Sequence, residues 1–79
     1  MKTATYEIKT ESGHNQRWTF EELHSDDDYG NGNYISVIRN DNECIAYIDM
    51  RYCKYVFESF CISYIKQYFG DNLLSFERV

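Results

Sequence analysis

Only one stretch of this chain repeats its apolar residues strongly at three- and four-residue intervals: Cys53, Phe57, Phe60, Cys61, Tyr64 and Tyr68. That spacing lays a broad apolar stripe along a helix. Gly70 follows as a stop, and Lys66 sits where a cation complements the carboxyl end of the helix dipole. The start is open, anywhere from Asp49 to Lys54. No other segment carries such a pattern, so the rest of the chain reads as strands and turns. A single C-terminal helix can then cover only one side of whatever sheet those strands make.

The strands show in two-residue alternation. Ala4, Tyr6 and Ile8 alternate with Thr5, Glu7 and Lys9 over Thr3–Thr10, and Gln16–Glu22 alternates again, bringing Trp18 and Phe20 to one side. Ser12-Gly13-His14-Asn15 between them is turn chemistry, which makes the pair a hairpin. His24–Asn33 reads as a loop, with three aspartates followed by Tyr29-Gly30-Asn31-Gly32-Asn33. A third strand, Tyr34–Arg39, turns through Asn40–Glu43 into a fourth, Cys44–Asp49. Both faces of this second hairpin are apolar. Ile35, Val37, Ala46 and Ile48 share one, and Tyr34, Ile38, Ile45 and Tyr47 share the other, so periodicity leaves the core face open. Leu73–Phe76 either adds a short edge strand or packs back on the helix. The expected fold is α+β: an antiparallel sheet of about four strands packed against one C-terminal amphipathic helix, as a single domain over residues 1–79. A chain of 79 residues buries only about 60% of its unfolded surface, too little for two domains or a dinucleotide-binding sheet.

Charge narrows the function. The net charge is −5, and residues 18–43 hold seven acids against one base. The last 29 residues hold three acids against four bases. A polyanion or an anionic membrane is a poor partner for such a chain. Arg51, Lys54 and Lys66 form no stripe on the expected helix, so direct nucleic-acid binding is not expected. No apolar run is long enough to span a bilayer, and the start does not read as a secretory signal, which points to the cytoplasm. Three cysteines without a Cys-x-x-Cys pair read as buried reduced thiols.

Catalytic and cofactor patterns are absent. The chain has no phosphate loop, no His-Glu-x-x-His and no metal-ligand spacing, and Asp26–Asp28 lack the spaced ligands of a calcium loop. Glu21 and Glu22 are strand neighbours pointing to opposite faces, not a catalytic pair. What remains is binding. Glu21, Glu22, Asp26, Asp27, Asp28, Asp41 and Glu43, interleaved with Tyr29, Tyr34 and Tyr47, suit a basic surface on a larger protein or ribonucleoprotein. Tyr55, Ile62 and Phe69, seven apart, form a second stripe on the expected helix. Either Leu74 and Phe76 cover it, or it contacts a second copy or another protein, so a monomer and a homodimer are both open.

The hairpin Ile35–Glu43 into Cys44–Asp49, followed by the amphipathic helix Phe57–Phe69, resembles small acidic phage-encoded anti-CRISPR inhibitors. That resemblance implies a protein that docks where a defence nuclease would hold DNA, with Asp26, Asp27, Asp28, Asp41 and Glu43 presented as mimics of the DNA charge. Locally, Ile48-Asp49-Met50 followed by Glu58-Ser59-Phe60-Cys61 is similar to the strand–loop–helix of STAS-like regulatory domains. It would make Ser59 a phosphorylatable or partner-reading position. Those domains, however, have a helix ahead of the strand, where this chain has the turn Asn40–Glu43.

Overall fold

The computed structural model describes residues 2–79. Among them, five strands form one antiparallel sheet: β1 (Thr3–Thr10), β2 (Gln16–Asp27), β3 (Gly30–Arg39), β4 (Glu43–Asp49) and β5 (Leu73–Arg78), in the order β4-β3-β2-β1-β5. A 13-residue helix, α1 (Phe57–Phe69), lies across one face and is joined to β5 by the 3-10 turn Gly70–Asn72. The α+β architecture is the expected one, and Leu73–Arg78 is a strand, pairing with β1 through Ile8 opposite Phe76.

Register settles which face is the core. Val37 stands opposite Phe20 and Ala46, and Ile35 opposite Ile48. Ala4, Tyr6, Ile8, Trp18, Phe20, Ile35 and Val37 are buried on that face against Phe57, Cys61 and Ile65 of α1. Trp18 is the hub, its ring 4.8 Å from Tyr68, 5.0 Å from Phe69 and 6.2 Å from Tyr64. Fully burying an aromatic or aliphatic side chain stabilises by roughly 1.5–3 kcal/mol, so this cluster is the main source of cohesion. Tyr34, Ile38 and Tyr47 fall on the other face. Ile45 does not follow them. A β-bulge between Val37 and Ile38 leaves it unpaired in the ladder, and it packs against the core instead.

Three expectations change. His24–Asn33 is not a loop: β2 and β3 stay paired as far as Asp27 opposite Gly30, leaving a tight turn at Asp28-Tyr29. The helix begins only at Phe57, because Val56 is still extended at φ −102° and ψ 122°. Cys53 and Tyr55 therefore precede it, and Cys53 is exposed instead of contributing to the stripe, whose third buried member is Ile65. Cys44 is exposed as well, so of the three free thiols only Cys61 is buried, with its pKa pushed up to about 12 by burial. Gly70 does stop α1, at φ 54°, its N–H donating to the Lys66 carbonyl. The long β2–β3 hairpin stretches the molecule to 43 × 24 × 18 Å, and its 13.3 Å radius of gyration exceeds the roughly 12 Å typical of this length.

Candidate protein-docking site

The far end of the β2–β3 hairpin is held by one side chain. Arg51, in the turn after β4, is a loop residue and not part of the helix flank. Its guanidinium donates to both carboxylate oxygens of Asp49, Nε to Oδ1 at 3.1 Å and Nη2 to Oδ2 at 3.0 Å. Nη1 reaches Asp27 Oδ1 at 2.7 Å. The same group lies 4.9 Å from the Tyr34 ring centroid, a cation–π contact. Only 8% of the Arg51 side chain is exposed. Hydrogen bonds from the Arg51 side chain and backbone hold the Asp49 carboxyl below its ordinary range. Asp27 also accepts the Tyr29 N–H at 2.9 Å, closing the turn, and the Tyr52 hydroxyl donates to the Tyr29 carbonyl. Two glycines permit this closeness: a Cβ on Gly32 would stand 3.0 Å from the Arg51 Cα, and one on Gly30 would stand 2.7 Å from the Tyr52 hydroxyl.

The predicted partner residues divide into three groups. Asp26, Asp27, Asp28 and Tyr29 gather at the tip, where Asp27 and, from the end of β4, Asp49 pair with one arginine. Tyr34 and Tyr47 lie next to them on the sheet face that α1 leaves bare, their rings stacked at 4.8 Å and 17°. Glu21 belongs to this face too, opposite Ser36, which in turn stands opposite Tyr47. Glu22 does not: it points to the helix side and accepts the Tyr55 hydroxyl at 2.6 Å. Asp41 and Glu43 lie at the other end of β3, nine residues from the tip and about 30 Å away at strand rise. The acidic run of the sequence is thus split between two ends and two faces.

Tyr55, Ile62 and Phe69 do not form an outward stripe. Tyr55 lies before the helix and caps the hydrogen-bond chain of Glu22 and Asn33, while Ile62 and Phe69 are half-buried against the core. Phe69 meets Trp18, and Leu74 is largely exposed. Ser59 is exposed in the first turn of α1, Asp49 ends β4 in the grip of Arg51, and no helix precedes β4 among the described residues.

Leu23, Asp49, Arg51 and Tyr52 complete the site and were not among the residues expected from the sequence to bind a partner. Leu23 extends the β2 alternation, opposite Tyr34, and that parity was the available signal. Arg51 gave none, since its partners are 2 and 24 residues away. Among the described residues there is no cluster of potential metal ligands and no helix long and apolar enough to cross a membrane. No protein-family model matches the chain, and neither does any curated protein or solved structure.

Proposed function

We propose that this chain is a small binding protein that docks its hairpin tip on a cationic surface of a larger nuclease or nucleoprotein complex, acting as an inhibitor of the anti-CRISPR kind. One observation carries the reading: at the tip a single buried arginine is shared by Asp27 and Asp49, which leaves Asp26 and Asp28 without a salt bridge among the described residues. A rigid, pre-shaped anionic end loses little conformational entropy on binding and steers encounter with a basic groove. Exposed Tyr29, Tyr47 and Tyr52 stand around it as contact area.

The test is displacement of target DNA from a guide-loaded defence nuclease, measured by fluorescence anisotropy over a salt series and repeated across several nuclease types. Displacement that weakens with salt is expected. It should be lost in a double variant, Asp26→Lys with Asp28→Lys, which spares Asp27 and so keeps the Arg51 clamp. Displacement unchanged in that variant, or absent across the nucleases, would rule the reading out.

A further inference from the structure

The tip supplies charge, but the sheet face beside it supplies the chemistry that discriminates one cation from another. This face is the side of β2, β3 and β4 opposite α1, and near the tip it shows Leu23, Tyr34, Ser36 and Tyr47. No element among the described residues lies over it: Tyr47 is 57% exposed and Leu23 36%. Within it, Arg51 already rests against the Tyr34 ring at 4.9 Å, and Tyr47 stacks on the same ring at 4.8 Å. The patch therefore accepts a guanidinium against an aromatic plane, and the Tyr47 ring carries that stack outward to solvent. Directly opposite Tyr47, the Ser36 hydroxyl is buried and has no hydrogen-bond partner among the described residues, an unused acceptor in the floor of the patch.

Charge selects the occupant. A second copy would bring −5 against −5, and a nucleic acid would be repelled in the same way. An apolar surface would leave Glu21, which has no salt bridge among the described residues, beside it without compensation. A planar cation suits the ring and the Glu21 carboxylate together. Arginine does this better than lysine because its guanidinium is flat, weakly hydrated and carries five donors, whereas an ammonium is a compact, strongly hydrated point charge. We infer that this face takes an arginine side chain of the partner, laid on the outer side of the Tyr47 ring. The inference rests on the docking reading above and deepens it.

It can be tested before any partner is identified, with arginine and lysine nonapeptides of equal charge titrated into the full chain labelled for NMR. The arginine peptide should bind about three-fold more tightly, in line with an exposed cation–π contact, and should move the Tyr47 ring resonances. Tyr47→Leu should abolish the difference by weakening the arginine peptide more than the lysine peptide, and Tyr47→Phe should retain it. Equal affinities for the two peptides in the unaltered chain, or a preference that survives Tyr47→Leu, would overturn the inference. The double variant Asp26→Lys with Asp28→Lys should weaken both peptides alike. If it weakens neither, the docking reading fails, while the comparison of the two peptides still judges the Tyr47 face on its own.

Discussion

The two ends of the β2–β3 hairpin are built from similar residues and arrange their charges differently. At the end where the β1–β2 and β3–β4 turns lie, each arginine has its own glutamate: Arg39 holds Glu43 at 2.7 Å, and Arg17, across β1 and β2, holds Glu7 at 2.6 Å. These pairs are largely solvated and contribute little to stability. At the tip, Arg51 is shared between Asp27 and Asp49, while Asp26 and Asp28 form no salt bridge among the described residues. One arrangement pairs each arginine with a single solvated glutamate. The other uses a buried cation to hold an anionic surplus in a fixed shape. The difference shows that a count of acids along a sequence does not locate a charged surface; the pairing does.

The comparison is sharpest where backbone meets side chain. Gly32→Ala at the tip forces a Cβ against the Arg51 backbone at 3.0 Å. It should cost about 2–3 kcal/mol by urea denaturation. Gly13→Ala in the β1–β2 turn near the other end has only its positive φ of 83° to contend with and open space around it, so about 1 kcal/mol is expected. Equal midpoints for the two variants would show that the tip is not close-packed. A smaller effect separates the arginines. Arg51→Ala should speed amide exchange throughout Asp26–Gly32, whereas Arg39→Ala should speed it only around Asn40–Glu43. Exchange that rises equally at both ends in either variant would break the contrast.

The mildest effect is with acid. The Asp49 carboxyl is held below its ordinary value of 3.8 by hydrogen bonds from Arg51. A depressed folded-state pKa contributes stability that is present above the ordinary value and is lost as pH falls through the folded one. The tip should therefore stay closed at neutral pH and loosen only below about 3.8, with the Tyr34 ring resonances moving over that range. Resonances that are flat through it would remove Asp49 from the clamp.

Most of the architecture was legible because alternation and helical period are local. β1, the first half of β2, β4 and the Gly70 stop can all be read from neighbours a few residues apart. The second half of β2 was not. Ser25, Asp26 and Asp27 have poor strand propensity, and facing Gly30, Asn31 and Gly32 they resemble a loop. What makes them a ladder is Arg51, a residue 24 positions from Asp27. The site followed the same pattern. Tyr34, Tyr47 and the three aspartates were found by type, but their separation from Glu22, Asp41 and Glu43 depends on strand parity and length, which emerge only once the hairpin's true extent is known. The core face was undecidable for an equally concrete reason: β3 carries apolar residues on both sides, and only α1 distinguishes them.

The place of β5 in the sheet has a consequence for how the chain comes together. β1 is the second strand from the edge, flanked by β2, made next, and by β5, made last, with Tyr6 opposite Arg78 and the Val79 N–H donating to the Thr5 carbonyl. During synthesis the outer side of β1 waits, unpaired, through the making of the other three strands and the helix. The three hairpins can form as they emerge, but Tyr6 and Ile8 gain Phe76 only at closure, a contact of long sequence separation and hence a late one. The polar edge residues of β1, Thr5, Glu7 and Lys9, then guard a half-finished sheet against pairing with a neighbouring nascent chain.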